Sequence, residues 1–165
     1  MGWADGRVKI MNSIQIELQK DQDTSEWDGS IYADGISVDN GWTIDWIEIA
    51  KSAIEPGDYF IFTCGCGVPQ CARIYTPVKV THSERTISWH IIEPDPERHF
   101  EFSKTEYRAA LQSFFRQVAD TVPRPSPGEP FLFSHVCFWA TELDWCLKTM
   151  ESGNRDNSGW WNSGT

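Results

Sequence analysis

The chain has 165 residues, of which 40% are hydrophobic and 13% aromatic, and it carries a formal net charge of −10. This length and apolar content predict one globular domain over residues 1–150 and exclude an intrinsically disordered chain. The excess of negative charge repels phosphate groups, so we expect no direct binding to nucleic acid or to an anionic membrane.

The N-terminus lacks the long apolar segment of a signal peptide. No stretch approaches the ~18 apolar residues that a membrane span requires. We therefore expect a cytoplasmic protein. In that compartment the five cysteines are reduced by default, which favours thiols or metal ligands over disulfides.

The first third of the chain predicts antiparallel strands. Residues 7–18 alternate apolar with polar side chains, as in a half-buried strand, and an acidic turn follows. The pair Asp34–Gly35 is a hairpin-type turn signal inside residues 31–38. Residues 42–54 show helical spacing of apolar residues and favour a short helix, with a strand as the alternative.

The middle of the chain is rich in strand-like segments. Residues 82–85 are predicted to form a hairpin turn, and the prolines of residues 93–96 indicate a linker. The predicted strands cover residues 59–62, 74–81, 86–92 and 99–102.

Two helices are predicted in the last third. Ser103 and Glu106 form a capping box at the start of the first, which has one apolar stripe and ends before Pro123. A stiff polar connector covers residues 123–130. Further predictions are a strand at residues 131–133, a closing helix at 136–150 and a mobile tail at 151–165. The inward stripe of the first helix is Tyr107, Ala110, Leu111, Phe114, Phe115 and Val118, and that of the second is Trp139, Leu143, Cys146 and Leu147.

These elements together predict an α+β fold, with an antiparallel β-sheet and one or two helices packed on one of its faces. Strands dominate the middle of the chain and helices its end. That segregation is typical of an α+β protein rather than of alternating βαβ units.

Three cysteines, Cys64, Cys66 and Cys71, stand in a C-x-C-x4-C spacing with glycines between them. Three thiolates on such a loop would suit a structural zinc ion. The fourth ligand would be His82, with His90 or Cys137 as alternatives. We favour the simpler interpretation that the cysteines pack in a tight turn without metal. A redox pair of Cys71 with Cys64 or Cys66 is a lesser alternative.

The same segment resembles a known pattern. The run F-x-C-x-C-G-x3-C-A-x-I, from Phe62 to Ile74, followed by Ile87-x-Trp89, resembles a motif of a family of small acidic bacterial proteins. The resemblance covers residues 42–107 and implies a shared fold, but no activity. Arg73 departs from the pattern, since a small residue, often Gly, is expected there.

Negative charge is concentrated near the N-terminus. Residues 1–58 hold 12 acidic and 4 basic side chains, which gives −8 of the total of −10. Carboxylates steer a basic partner, and aromatic side chains provide anchors once it has docked. The alternative is a solvated acidic surface with the tryptophans in the core. The predicted partner-binding residues are Glu17, Asp21, Asp23, Glu26, Trp27, Asp28, Asp34, Asp39, Trp42, Asp45, Trp46 and Glu48.

The function predicted from these features is a small acidic protein-binding inhibitor, of the immunity or phage anti-defence type, that occupies a basic surface of a target protein. Catalytic signatures such as G-x-S-x-G, H-E-x-x-H and the P-loop are absent from the sequence, so no catalytic residue is assigned. The alternative is a zinc- or thiol-dependent enzyme or redox protein that uses the cysteine loop. A thiol nucleophile would need Cys66 or Cys137 beside His90 or His135. A structural subunit or nucleic-acid mimic is a third hypothesis, and the role of Trp160–Trp161 is left open.

Overall fold

A computed structural model describes residues 10–131 and 139–152 of the chain. A short 3₁₀ helix, Pro69–Ala72, lies within the cysteine loop. The other elements are β1 (Ile14–Lys20), β2 (Trp27–Ala33), β3 (Ile36–Ser37), β4 (Thr43–Ile44), α1 (Trp46–Ser52), β5 (Gly57–Tyr59), β6 (Phe62–Thr63), β7 (Val78–His82), β8 (Thr86–Ile91), β9 (Arg98–Ser103), α2 (Lys104–Thr121) and α3 (Ala140–Ser152).

The strands form three antiparallel groups, and with the helices they confirm the predicted α+β class. One sheet has the order β1-β2-β3, a second has the order β5-β7-β8-β9, and β4 pairs with β6 alone. The predicted single sheet is therefore divided. The buried hydrophobic side chains of the described residues nevertheless form one cluster that spans these groups.

The β1–β2 hairpin shows why its sequence alternates. Gly29, Ile31 and Ala33 on β2 are buried, while the residues between them face outward. Gly29 is required by close packing, because a Cβ atom there would lie 2.6 Å from Cζ of Phe114. The predicted turn is confirmed: Asp34 and Gly35 both have positive φ angles, 53° and 78°, and link β2 to β3.

The predicted helix over residues 42–54 is shorter than expected. Asp45 is its N-cap, and the carboxylate accepts hydrogen bonds from the N–H groups of Ile47 and Glu48 at 3.1 and 3.2 Å. The preceding β4 pairs with β6 instead of continuing the helix. The side chain of Asp45 thus fixes the helix start, since it satisfies N–H groups that have no partner within the helix.

Two strand predictions also need correction. The predicted strand at residues 59–62 is split between two sheets, because the chain turns at Phe60 and the N–H of Ile61 bonds to the carbonyl of Tyr59 at 3.0 Å. The strand predicted from residue 74 begins only at Val78. The predicted hairpin turn is confirmed after His82, where Ser83 N–H donates to the Thr86 carbonyl at 3.0 Å.

Helix α2 joins the two larger sheets and begins as predicted after Ser103, whose Oγ accepts the Glu106 N–H at 3.4 Å. Its first half packs on the four-stranded sheet, where the Tyr107 ring lies 5.9 Å from that of Trp89. Its second half packs under the hairpin, where Phe114 stacks on Trp46 at 4.2 Å. All predicted stripe residues of α2 are buried except Ala110, which is half-buried.

Helix α3 closes the core with most of the predicted face, except at Trp139. Leu143 and Cys146 are buried as expected, and Leu147 is half-buried. Trp139 is 38% exposed and precedes the helix, whereas Trp145 is 4% exposed and fills the core. No helix among the described residues has the length and apolar character needed to cross a bilayer. Most of the predicted strand at 131–133 and tail at 151–165 lies outside the described residues.

Candidate functional site

Five of the predicted partner-binding carboxylates lie on one structural unit, the β1–β2 hairpin. Glu17 pairs with Ser30 across the strands and Gln19 pairs with Asp28, so Glu17 and Asp28 are diagonal neighbours on the outer face. The remaining three belong to the turn that joins the strands. We call this set the acidic hairpin: Glu17, Asp21, Asp23, Glu26 and Asp28.

Hydrogen bonds order the turn of the acidic hairpin. Oδ1 of Asp21 accepts the N–H groups of Asp23 at 2.7 Å and Thr24 at 2.9 Å. The Asp21 N–H donates to the Glu26 carbonyl at 2.7 Å. The one basic residue between positions 17 and 28 is Lys20, whose Nζ lies 5.6 Å from the centre of the Trp27 ring. The turn therefore concentrates negative charge on a short, ordered segment of the chain.

Asp34 and Glu48 are exposed or half-exposed but have local partners. Asp34 accepts hydrogen bonds from Asn12 Nδ2 at 2.7 Å and from the Ser13 N–H at 2.8 Å. These bonds hold the pKa of Asp34 below its usual value. Glu48 forms an ion pair with Lys51 at 2.8 Å on α1. Both carboxylates support local structure and are separate from the acidic hairpin.

Asp39 and Trp46 were predicted to contact a partner at the surface, and that prediction was wrong. Asp39 is 5% exposed, and its Oδ1 accepts the Ile31 N–H at 2.9 Å. Burial raises the pKa of Asp39. Trp46 is 2% exposed and stacks on Phe114, so neither side chain can meet a partner. Asp45 caps α1 and is half-buried, and burial raises its pKa to about 6.

The two other predicted aromatic contact residues lie apart from each other. Trp42 is 36% exposed and follows the Asp39–Gly41 turn. Trp27 is half-buried at the end of the hairpin and lines an open cleft of about 560 Å³. The proline-rich connector, residues 122–130, forms the opposite wall of that cleft. Of the three predicted tryptophans, Trp27 therefore shares the hairpin with the carboxylates, whereas Trp46 is removed from the surface by burial.

The cysteine loop brings its three sulfur atoms together. The Sγ atoms of Cys64, Cys66 and Cys71 all lie within 4.8 Å of one another. A turn closes the loop, in which the Gly67 N–H donates to the Cys64 carbonyl at 3.0 Å and Gly67 has a φ of 80°. Cys71 is exposed on the short 3₁₀ helix. Three convergent sulfur atoms on an accessible loop suit a metal ion or thiol chemistry.

Other expectations for the cysteine loop need revision. Cys64 and Cys66 are joined in a disulfide with Cα atoms 5.4 Å apart, whereas the predicted redox pairs both involved Cys71. His82 is not in the cluster: its Nε2 lies 2.8 Å from the Ser52 carbonyl oxygen, and burial lowers its pKa. Arg73 has a φ of 61°, a left-handed backbone conformation that Gly adopts more readily than other residues.

Two residues considered for catalysis, His135 and Cys137, lie outside the described residues. The buried Cys146 is a free thiol with a pKa raised well above its usual value by burial, so it is a poor nucleophile. His90 has no sulfur partner in the cysteine cluster and belongs to a different group.

That second group was missed by sequence reasoning. The ligand atoms of His90, Glu97 and His99 lie within 4.8 Å of one another on the outer face of the four-stranded sheet. The signal was present in the sequence: a hairpin centred on the linker at residues 93–96 pairs position 90 with position 99. The linker was not interpreted as a hairpin connection, so the two histidines were treated separately.

The chain matches no known protein family, no curated protein and no solved structure.

Proposed function

We propose that this protein is a stoichiometric, protein-binding inhibitor that acts in the cytoplasm by occupying a basic surface of a target protein. Inhibitors of the immunity or phage anti-defence type work in this way. The observation that carries the proposal is the acidic hairpin, which gathers five carboxylates on one unit with a single basic side chain. Such a field accelerates the approach of a basic partner and rejects acidic ones.

The outer face of the hairpin is the one suited to this role, because the inner face packs against the core. Gly29 and Ile31 pack inward, towards Trp46 and Phe114. On the outer face, Tyr32 pairs with Gln15 and is half-buried. An aromatic side chain beside carboxylates supports the proposal, since aromatic anchors contribute much of the free energy of binding at interfaces.

The position of β1 in its sheet also supports the proposal. It is the edge strand of the order β1-β2-β3. An open edge invites pairing with other chains, and charged side chains on it oppose non-specific association. Glu17 lies on this strand, between Gln15 and Gln19, whose Nε2 atoms lie 2.8 and 3.3 Å from its carboxylate oxygens. The edge is therefore polar and selective for a partner that supplies positive charge.

The test neutralises the acidic hairpin while keeping its shape. We expect the variant Glu17→Gln, Asp21→Asn, Asp23→Asn, Glu26→Gln, Asp28→Asn to lose a specifically retained partner, with affinity reduced about tenfold or more because several complementary charges are removed. Asn at position 21 keeps the oxygen that orders the turn. Affinity capture followed by a binary titration with the purified partner measures the effect.

The matched control removes the same number of charges elsewhere. It neutralises exposed carboxylates outside the hairpin, namely Asp58, Glu84, Glu106, Asp120 and Glu129. This control should retain the partner with little change in affinity. Equal losses in both variants would indicate a non-specific effect of net charge, and unchanged binding by the hairpin variant would refute the proposal.

A second candidate function is zinc binding or thiol chemistry at the cysteine loop. The convergence of the three sulfur atoms of Cys64, Cys66 and Cys71 favours it. When reduced, these thiolates would supply three ligands, and the group contains no fourth ligand from the described residues. Three protein ligands with one open position are typical of catalytic zinc sites rather than closed structural ones.

Metal content and thiol counting test this second candidate. In a Cys137→Ser background, the reduced protein should bind a zinc ion at the cysteine loop that protects three thiols from alkylation, because coordinated thiolates react slowly. Cys71→Ser should weaken zinc binding about tenfold or more, as the loss of a ligand does. The control Val68→Ser, on the same exposed loop, should leave binding unchanged. Freely reacting loop thiols at equimolar zinc would exclude a metal site there.

A further inference from the structure

His90, Glu97 and His99 form a compact group of ligand atoms on the four-stranded sheet. Oε1 of Glu97 lies 2.7 Å from Nε2 of His90 and 3.9 Å from Nε2 of His99. All three ligand atoms are within 4.8 Å of one another. Two imidazole nitrogens and one carboxylate oxygen are thus arranged around a common point, with no large rearrangement of the backbone required.

The backbone register explains this convergence. His90 on β8 and His99 on β9 are directly opposite each other in the antiparallel pair. The neighbours of His90 on its strand, Trp89 and Ile91, are buried, so both histidines face outward. Their rings stack with centroids 4.1 Å apart and planes inclined by 15°. Glu97 precedes β9 by one residue and folds over the pair from the connection between the strands.

A surface ion pair between histidine and glutamate is the simpler explanation, and such pairs contribute little free energy. It would account for His90 and Glu97 alone. It gives no reason for the second imidazole, whose Nε2 approaches the same carboxylate oxygen. A shared cation accounts for all three groups, because imidazole and carboxylate are both good ligands for a divalent transition metal.

We propose that His90, Glu97 and His99 bind a divalent transition-metal ion, with zinc the closest match to their donor set. Two histidines and one carboxylate on one side of an ion leave its other coordination positions open. Those positions face an open groove of about 440 Å³, whose lining includes Lys79, Ser88 and Glu101. The site is separate from the acidic hairpin and from the cysteine loop, and it does not depend on the proposed function.

The arrangement favours affinity because the backbone already places the ligands side by side. Strand pairing fixes the backbone positions of both histidines. The stacked rings must turn about their side-chain bonds before both nitrogen lone pairs point at one ion. A site whose backbone is held in place loses less conformational entropy when it binds. The side chain of His99 is 68% exposed, so an ion bound there is accessible from solution.

The experiment first removes thiol ligands with the substitutions Cys64→Ser, Cys66→Ser, Cys71→Ser and Cys137→Ser. Titration of this full-length parent with zinc, in competition with a chromogenic chelator, should give one site per chain. His99→Ala and Glu97→Gln should each weaken that site about tenfold or more. Glu84→Gln, which neutralises an exposed carboxylate in the turn between β7 and β8, is the matched control and should bind as the parent does.

Cobalt provides an independent signature of the ligands. The parent should show weak visible bands without a thiolate-to-cobalt charge-transfer band, since nitrogen and oxygen are the donors. In the unsubstituted chain with its accessible thiols alkylated, so that the cysteine loop cannot compete, one equivalent of zinc should shift the imidazole NMR signals of His90 and His99 but not those of His82. That measurement keeps the proposal testable if the fourfold Cys→Ser parent does not fold.

Three results would overturn the proposal. The first is zinc binding by the parent that His99→Ala leaves unchanged. The second is an equal loss for Glu84→Gln and Glu97→Gln, which would indicate attraction by the general negative charge of the protein. The third is the absence of any zinc-dependent shift of the His90 and His99 signals.

Discussion

Trp46→Ala should lower the free energy of unfolding by about 3–5 kcal/mol, the usual effect of removing a fully buried tryptophan. Trp46 is 2% exposed, stacks on Phe114 at 4.2 Å and meets Phe115 edge-on at 6.4 Å. Gly29 lies against the same indole ring. Removing the Trp46 side chain would leave a cavity where the hairpin, α1 and α2 meet. Those backbone elements cannot collapse to fill it.

Trp42→Ala is the matched control for that substitution. Trp42 is 36% exposed, so its loss should cost about 1 kcal/mol or less. Equilibrium denaturation of both variants, monitored by circular dichroism, measures the difference. Both residues were predicted from the sequence to contact a partner. Equal losses of stability would contradict the assignment of Trp46 to the core and Trp42 to the surface.

Asp45→Asn should stabilise the protein at neutral pH by about 1–2 kcal/mol. Burial raises the pKa of Asp45 from 3.8 to about 6 against the opposing hydrogen bonds from α1, so its charged form is unfavourable in the fold. The full shift corresponds to about 3 kcal/mol. We expect less, because the charge also interacts favourably with the start of the helix. Asn retains the oxygen that accepts the N–H groups of Ile47 and Glu48.

The sign of the pH dependence follows from the raised pKa. Above pH 6 the carboxylate is charged in both the folded and unfolded states, and its burial reduces stability. As the pH falls from about 6 towards 3.8, the folded state takes up a proton first, so the contribution of Asp45 to stability becomes more favourable. The advantage of Asp45→Asn over the unsubstituted chain should therefore shrink across this interval.

Denaturation at a series of pH values between about 4 and 8 tests this prediction. The difference between the two proteins isolates Asp45 from other carboxylates, such as Asp34 and Glu93, whose hydrogen bonds lower their pKa values. Asp120→Asn, an exposed control, should change stability little at any of these pH values. An Asp45→Asn protein that is less stable than its parent at pH 7.5 would show that capping by the charged carboxylate outweighs burial.

Sequence reasoning succeeded where the determinants are local. The Ser103 capping box begins α2, and Asp34–Gly35 forms the turn between β2 and β3. Each signal acts within a few residues: a side-chain oxygen satisfies a nearby N–H group, or a turn requires positive φ angles. The convergence of the cysteine loop was also predictable, because glycines and short spacing limit how far apart the three sulfur atoms can lie.

Local patterns failed to distinguish tryptophans that occur close together. Both Trp42 and Trp46 fit one helical stripe, but only Trp46 lies within α1, because Asp45 caps the helix and β4 precedes it. Similarly, Trp139 precedes α3 while Trp145 is buried. Which aromatic side chain is buried depends on the elements that pack against it. That information is distributed over residues far apart in the chain.

Local sequence patterns were enough to predict the α+β class, the acidic character of the N-terminal third, two hairpin turns and the start of α2. The tertiary structure alone decided that five carboxylates share the acidic hairpin while Asp39 is buried. It also decided that His90 and His99 meet across β8 and β9. The difference lies in sequence separation. Capping and turn formation involve neighbouring residues, whereas burial and ligand convergence depend on strand register and on packing between distant segments.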